Sequence, residues 1–329
     1  MGVTRSLVLG VDGGNTKTDV VAATSDGEPL AYVRGPGSNS HGPGGAEGCV
    51  AVIAALVAEA ALDEPAEHGS FFLCGADVPD DFAALQDALQ QQPWVRSSTV
   101  DNDTFALLYA GAQAGNAIAV VCGGGINCVG RRSDGRVSRY PSLGWETGDW
   151  GGAEAVGHDA LHHAARAEDG RGPPTALVEI VRAHFGLPSV AAVGEAVHYR
   201  RLTETRLGEL APLVVAAAVD DGVASTIVER LVQEITLLVR RAAIDLELSD
   251  RPFDLVLGGG VLEAVDGSVR EQVVSRVSEH FAARPVVPGV PAVAGAVLAA
   301  LGAVGAPSAA AERVRAAFID GYPPRVVDG

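Results

Sequence analysis

Residues 7–24 read LVLGVDGGNTKTDVVAAT, which is two apolar runs rich in β-forming residues with a glycine turn between them. The runs at 7–12 and 18–24 have the length and composition of strands, so their spacing around Gly13-Gly14 predicts a hairpin. A turn rich in Ser, Asp and Gly and a further β-forming run at 29–34 add a third antiparallel strand. The segment is therefore predicted to form a β-meander.

The rest of the chain repeats this order of elements. Strand, glycine turn, strand, Asp-Gly turn and strand recur between residues 117 and 140. The other elements predicted from apolar periodicity are helices at 44–62, 82–90, 105–114, 268–283 and 292–301, an interrupted helical stretch at 151–248, and strands at 70–74, 98–100 and 253–257. A pattern that occurs twice predicts two similar α/β lobes, and small molecules usually bind in the cleft between such lobes.

Length and charge exclude several classes of protein. The 329 residues correspond to about two domains. The net charge of −17 argues against a nucleic-acid binder or a protein of anionic membrane surfaces, because both need clustered cations. No uninterrupted apolar stretch reaches the roughly 18 residues of a membrane span, and residues 1–9 do not resemble a signal peptide. We therefore expect a cytoplasmic protein that binds neither nucleic acid nor membrane.

Three glycine clusters follow predicted strands directly and are candidates for phosphate binding. They are Gly13-Gly14, Gly123-Gly124-Gly125 and Gly258-Gly259-Gly260. Glycine lets main-chain N–H groups approach a phosphate without a Cβ atom in the way. A single glycine turn is more often only a tight turn, and none of the three matches the Walker A or dinucleotide pattern. Their combination, with two turns at matching places of the repeated pattern, favours a nucleotide site.

These turns, together with segments spread over nearly the whole chain, resemble the actin, Hsp70 and sugar-kinase superfamily. Within it the chain is most similar to the BadF/BadG/BcrA/BcrD ATPase family and its N-acetylglucosamine kinase branch. The segments that carry the resemblance are GVDGGNTKT, GPGSNSHG, CGADVPDDF, DNDTFAL, CGGGINCVG, GDWGGAEAVG, APLVVAAAVDDGVA, LVLGGGVLEA and PAVAGAVLAAL.

The resemblance implies an α/β fold of two actin-like (ribonuclease H-like) lobes. Each lobe would be a mixed five-stranded sheet flanked by helices, with a nucleotide cleft between the lobes. The N-terminal lobe would span residues 1–110 and be joined by the C-terminal helix at 302–329, and the C-terminal lobe would span 111–301. A homodimer is also expected from the family.

The resemblance implies in addition which residues bind ATP and Mg²⁺, with Asp12 holding the metal. The implied phosphate and adenosine contacts are Gly13, Gly14, Asn15, Thr16 and Lys17 at the first phosphate turn, Gly123, Gly124 and Gly125 at the second phosphate loop, and Gly258, Gly259 and Gly260 at the adenosine turn. Gly124 and Ile126 stand where the family has Thr and Ser, so a hydroxyl contact to the γ-phosphate is lost. Lys17, the single lysine of the chain, either approaches the phosphates or faces solvent.

Asp103 is the implied catalytic residue. In the sugar kinases an aspartate at this place, where a strand ends and a helix opens, accepts the proton of the attacking hydroxyl, and a carboxylate suits that task. Asp101 is the rival candidate. The alternative for either aspartate is that it caps the helix predicted from residue 105, as Asp commonly does.

Asn39, Asn127 and Asp149 are the implied contacts to a sugar, together with Asp103. Amide and carboxylate groups bind hydroxyls directionally. The alternatives are that Asn39 lies in a solvated loop and that Asp149 caps the helix predicted near residue 151.

Some residues near the implied sugar site leave further alternatives open. The segment at 144–151 is two residues shorter than the family's usual stretch, so which of Trp145 and Trp150 lines a sugar pocket stays open. Cys122 and Cys128 flank the second loop, as an iron–sulfur activator of the same family would allow, but buried apolar cysteines are the better interpretation. The histidines, His158 and His162 among them, fit a surface cluster better than a zinc site.

The activity implied by the resemblance is ATP-dependent phosphorylation of the 6-hydroxyl of an amino sugar, most of all N-acetylglucosamine. The alternative is a nucleotide-driven ATPase switch or activator that acts on a protein partner.

Overall fold

A computed structural model of the protein describes residues 5–112 and 115–327. The chain divides into two units, of which the first comprises residues 1–115 and 286–329 and the second residues 116–285. Each unit is built around one mixed sheet with helices packed on it.

The first unit begins with the predicted meander. Its elements are β1 (Leu7–Gly13), β2 (Lys17–Thr24), β3 (Pro29–Pro36), α1 (Gly45–Glu59), β4 (His68–Leu73), α2 (Pro79–Gln90), β5 (Ser98–Asn102) and α3 (Thr104–Gly111). β1 pairs with β2 and β2 with β3 in antiparallel fashion, whereas β4 runs parallel to both β1 and β5. The carboxyl ends of β1, β4 and β5 therefore lie at one edge of the sheet, where ligands of such sheets usually bind.

Both faces of this sheet are buried, and the alternation of strand residues decides which helix each contacts. Leu9 and Val11 of β1 pack with Ile53 of α1 and Leu85 of α2. Val8, which points to the opposite face, belongs to the core formed with the C-terminal helices.

The second unit repeats the strand–turn–strand pattern. Its elements are β6 (Ala117–Cys122), β7 (Ile126–Arg131), β8 (Val137–Arg139), α4 (Gly152–Glu168), α5 (Leu177–Phe185), α6 (Val190–His198), α7 (Ala211–Ala217), α8 (Gly222–Asp245), β9 (Phe253–Gly258), α9 (Gly260–Ser278) and β10 (Ala283–Val286), with 3-10 turns at Gly144–Thr147 and Glu204–Leu210. The strand order is β10-β9-β6-β7-β8, and β9 runs parallel to β6. The α9 helix is interrupted by non-helical backbone at residues 264–267.

The chain then returns to the first unit as α10 (Ala292–Ala303), α11 (Ser308–Ile319) and β11 (Arg325–Val326). Two glycines allow α10 to pack backbone against backbone. A Cβ atom at Gly10 of β1 would lie 2.3 Å from the nitrogen of Val297, and one at Gly295 would lie 2.0 Å from the oxygen of Ala106 in α3. Residues 286–301 therefore belong to the first unit, whereas we expected the C-terminal lobe to extend to residue 301.

The α/β class and the two helix-flanked mixed sheets confirm the predicted fold class. The first sheet has six strands instead of five because β11 pairs with β3 at its edge. The helix predicted at 268–283 ends at residue 278, and its last predicted residue begins β10. Among the described residues no single helix is long and apolar enough to cross a membrane, although two bent helix pairs meet that threshold by length and composition.

Candidate functional site

Two carboxylates lie at the carboxyl edge of the first sheet. Asp12 comes near the end of β1, and Asp103 follows the end of β5. Burial, and then the negative charge of Asp103, raise the pKa of Asp12 to about 7. Two like charges in a partly buried place repel each other, and a divalent cation would relieve that repulsion.

The residues at this edge fit Mg²⁺. The ion prefers oxygen ligands, keeps several of its waters, and is often held by one or two carboxylates together with substrate phosphates. Asp12 supplies such a carboxylate. Among the described residues no group of three or more His, Cys, Asp or Glu side chains could hold a metal alone.

Asp103 is the N-cap residue of α3, but its side chain makes no cap hydrogen bond there. The N–H of Thr104 donates to Oδ1 of Asn102 at 2.9 Å, and hydrogen bonds from Thr104 to Asp103 lower the pKa of that carboxyl. Asn102 also donates to Asp77 at 2.7 Å. Burial, and then the charge of Asp77, raise the pKa of Asp103 to about 6. The pKa of the Asp103 carboxyl therefore lies well above its usual value of 3.8, although its hydrogen bonds to Thr104 act in the opposite direction.

The first glycine turn joins β1 to β2 and is tightened by a hydrogen bond from the N–H of Gly14 to the carbonyl of Lys17 (2.9 Å). The Lys17 ammonium, on a half-exposed side chain, donates to Asp19 at 2.8 Å. Asp19 is 1% exposed and also accepts two bonds from Arg34, at 2.6 and 2.9 Å. A buried carboxylate is stabilised by such pairing. Lys17 therefore neither faces solvent freely nor stands alone at the turn.

Asn39 lies in the loop after β3, and this loop is fastened to the rest of the carboxyl edge. Its Nδ2 donates to Oδ1 of Asn15 at 2.6 Å, and its Oδ1 accepts from the N–H of His41 at 2.7 Å. Ser40 donates to the carbonyl of Gly75 at 2.8 Å. Asn39 thus lies next to the first turn, in an ordered loop and not in a purely solvated one.

The glycine turn of the second unit connects β6 to β7 and rests on the start of α4. The N–H groups of Ala153 and Glu154 donate to the carbonyls of Gly123 and Gly124 at 2.7 and 3.0 Å. These bonds use the first free amides of α4, so Asp149 does not cap the helix. A Cβ atom at Gly123 or Gly125 would meet nothing within 4 Å. Packing within the protein does not explain glycine at these two positions, whereas a ligand lying on the backbone would.

The third cluster ends β9 beside the same turn. Gly259 has φ +105°, and a Cβ atom there would lie 2.4 Å from the carbonyl oxygen of Cys122 at the end of β6. Gly259 is therefore required by the fold. Gly260 has open space where its Cβ would be. The structure thus brings the second and third clusters together, and it provides open main chain at Gly123, Gly125 and Gly260.

Asn127 and Asp149 each have a neighbouring hydroxyl as partner. Ser142 donates to Oδ1 of Asn127 at 2.7 Å, and Thr147 donates to Asp149 through a short hydrogen bond. Trp150 is 4% exposed and lies under the Arg230 guanidinium, 4.0 Å from the ring centroid.

Of the two tryptophans in question, only Trp150 borders the cavity beside Asp149. That cavity has a volume of about 160 Å³, and its wall includes Ile126, Leu237 and Leu238. Trp145 is 79% exposed and is not part of the wall.

All four cysteines are free, and Cys122 and Cys128 are fully buried. Burial raises the pKa of both thiols. They pack in the core of the second unit among Ile118, Val120 and Ile126. These two cysteines therefore act as small apolar residues in the described part of the chain.

Sequence reasoning missed four residues that shape the first-unit site, namely Asn102, Asp77, Asp19 and Arg34. Asn102 accepts from the N–H of Thr104 and donates to Asp77, and Asp19 pairs with Lys17 and Arg34. An Asn two residues before Thr104 at a helix start was a signal for the first of these bonds. An aspartate inside the apolar run of β2 was a signal for a buried ion pair, because such a charge requires a partner.

Comparison with known proteins gives consistent matches. The model of the BadF/BadG/BcrA/BcrD ATPase family matches residues 9–300. An N-acetyl-D-glucosamine kinase of Dictyostelium discoideum is 25% identical over 302 residues, which cover 85% of this chain and 92% of that protein. An N-acetylmuramic acid/N-acetylglucosamine kinase of Clostridium acetobutylicum is 26% identical over 266 residues, covering 79% and 86%.

Solved structures share the fold. A candidate N-acetylglucosamine kinase of Chromobacterium violaceum superposes with a TM-score of 0.68 at 24% identity, covering 90% of this chain and 99% of that one. A ROK family glucokinase of Streptomyces griseus, solved with glucose and AMPPNP, gives a TM-score of 0.52 at 19% identity, covering 89% and 98%.

Proposed function

Because the chain belongs to the BadF/BadG/BcrA/BcrD ATPase family, we propose that it is an ATP-dependent kinase for the 6-hydroxyl of an amino sugar, with N-acetylglucosamine as the first substrate to test. Both curated relatives are N-acetylglucosamine kinases by name. The observation that carries the proposal is Asp103, a carboxyl at the carboxyl edge of the first sheet whose side chain makes no cap hydrogen bond to α3 and whose pKa is raised to about 6.

Asp103 is the general base in this proposal. Its carboxylate accepts the proton of the sugar hydroxyl while the hydroxyl oxygen forms a bond to the γ-phosphorus of ATP and the bond to the leaving ADP oxygen breaks. A base with a pKa near 6 is mostly ionised at neutral pH and is still basic enough to take the proton. Burial, and then the charge of the neighbouring Asp77, which Asn102 holds, keep the pKa in that range.

The nucleotide is proposed to lie on open main chain. Amides of Gly13, Gly14, Asn15 and Thr16 would face its phosphates, with Gly123–Gly125 as the second phosphate loop and Gly258–Gly260 as the adenosine turn. Mg²⁺, held by Asp12 with the phosphates, would neutralise charge that develops on the phosphoryl oxygens. Positioning and charge neutralisation supply most of the catalysis in phosphoryl transfer, so the chain needs few reactive side chains.

Sugar hydroxyls are proposed to bind Asn39, Asn127 and Asp149. Amide and carboxylate groups bind sugar hydroxyls directionally, because a hydroxyl can both donate and accept. The homodimer expected from the family stays a prediction.

The test is a coupled assay of ADP release with N-acetylglucosamine, glucosamine and N-acetylmuramic acid as acceptors. We expect sugar-dependent ADP release, a product phosphorylated at C6 by NMR, and a loss of kcat of about 10²- to 10⁴-fold in Asp103→Asn. Asp101→Asn, two residues away on β5, is the matched control and should retain most activity. ADP release that needs no sugar and survives Asp103→Asn would overturn the kinase in favour of an ATPase switch.

A further inference from the structure

Asn15 and Asn39 connect two loops at the carboxyl edge of the first sheet. The side-chain bond between them (2.6 Å) joins the first glycine turn to the loop after β3. The main chains also touch, because the N–H of Ser38 donates to the carbonyl of Gly14 at 3.0 Å. A Cβ atom at Gly37 would lie 2.1 Å from the carbonyl oxygen of Asn15. The two loops therefore have little room to move independently.

The bonds of Asn39 also fix the orientation of its amide. Its nitrogen gives one hydrogen to Asn15, and its oxygen accepts one bond from the N–H of His41. A primary amide has two N–H donors and two acceptor lone pairs, so one donor and one lone pair remain. That pair of functions matches a sugar hydroxyl, which donates and accepts. Without Asn15 the amide loses the partner that holds its nitrogen in place.

We propose that the side chain of Asn15 is a positioning residue that orients Asn39 for the acceptor sugar and thereby couples nucleotide binding at the first turn to sugar binding. The proposal rests on the proposed function for the identity of the two ligands. Nucleotide phosphates that order the turn would also order Asn15, and through it Asn39. The coupling is reciprocal, because a sugar bound to Asn39 would favour the same turn conformation.

A double-mutant cycle with Asn15→Ala and Asn39→Ala tests the link. A hydrogen bond of this kind contributes enough that Asn15→Ala should raise the KM for N-acetylglucosamine about three- to tenfold while kcat changes less than about twofold. In the Asn39→Ala background the same substitution should have no further effect on this KM. Equal effects of Asn15→Ala in both backgrounds would show that the residue does not act through Asn39 and would overturn the proposal.

His41→Ala is the matched control. It removes a side chain from the same loop but keeps the main-chain N–H that Asn39 accepts, so the KM for the sugar should change less than about twofold. A rise as large as that of Asn15→Ala would indicate general anchoring of the loop and would also overturn the proposal. Thermal unfolding of each variant verifies that it is folded.

A second measurement does not depend on the sugar. In the ¹H–¹⁵N spectrum of the full chain, a non-hydrolysable ATP analogue should shift the side-chain amide resonances of Asn39 in the wild type and not in Asn15→Ala. The same shift in both proteins would refute the link even if the true acceptor is another compound. Absence of sugar phosphorylation together with the predicted spectral difference would refute the proposed function alone.

Discussion

Replacing Asp103 by Asn should stabilise the folded protein at neutral pH while it removes activity. The folded protein raises the pKa of this carboxyl from 3.8 to about 6, so ionised Asp103 is less favourable in the folded than in the unfolded chain. Above pH 6 the full shift corresponds to roughly 3 kcal/mol. Asp103 is partly exposed, and solvent screening reduces the figure to about 1–2 kcal/mol.

The direction of the change of stability with pH follows from proton binding. Between pH 4 and 6 the folded state holds a proton on Asp103 that the unfolded state has released, so stability falls as pH rises through this range. Asn cannot ionise and avoids that loss. We expect Asp103→Asn to raise the melting temperature of the ligand-free protein by about 3–6 °C at pH 8, with about half that gain at pH 5.

The assay is differential scanning calorimetry of wild type and Asp103→Asn without Mg²⁺ or nucleotide, at pH 5 and pH 8. In the wild type, kcat/KM should also fall on the acid side of about pH 6, because a protonated base cannot accept the hydroxyl proton. A lower melting temperature for the variant at pH 8, or a gain that is larger at pH 5, would refute the reasoning about charge and burial.

Three further substitutions test the other parts of the site. Gly125→Ala should weaken ATP binding by about tenfold without changing the melting temperature, because its Cβ atom enters only open space. Titration calorimetry measures the affinity for ATP, and an unchanged affinity would exclude the turn as a phosphate loop. Gly259→Ala should destabilise the protein by about 1–3 kcal/mol in urea unfolding, because of its φ of +105° and the nearby Cys122 carbonyl, and wild-type stability would contradict that strain. Asp19→Asn should cost about 1–3 kcal/mol in the same experiment, because the partly exposed Arg34 and Lys17 lose their buried partner, whereas a neutral effect would mean that solvent compensates the pair.

The sequence predicted the elements whose apolar pattern is regular and bounded by glycine. The strands of the meander and the turn after β6 are of this kind, and Asp103 lies between a strand and a helix as predicted. It did not predict β10, which is only four residues long, contains a proline, and begins shortly after α9. Nor did it predict that α10 joins the first unit, because a helix that is apolar on all sides does not indicate which sheet it covers.

Within the site, the sequence does not show how residues of the neighbouring strands β1, β2 and β3 align with one another. Asp19 stands opposite both Asp12 and Arg34 across neighbouring strands, and Lys17 lies two residues before it on β2. Spacing along the chain cannot show that these charges meet, because Arg34 is 15 residues away from Asp19 in sequence. The sequence left open whether Asp101 or Asp103 caps α3, because the side chains of both aspartates and of Asn102 can accept from helix amides.

The pairing of Lys17 with Asp19 has a practical consequence for chemical labelling. Lys17 is the single lysine among 329 residues, so apart from the α-amino group its Nζ is the only primary amine of the chain. Its side chain is 49% exposed and sits on the first glycine turn. Amine-directed dyes, cross-linkers and affinity supports will therefore converge on this one turn, and the extent of modification reports how freely the Nζ atom can leave Asp19.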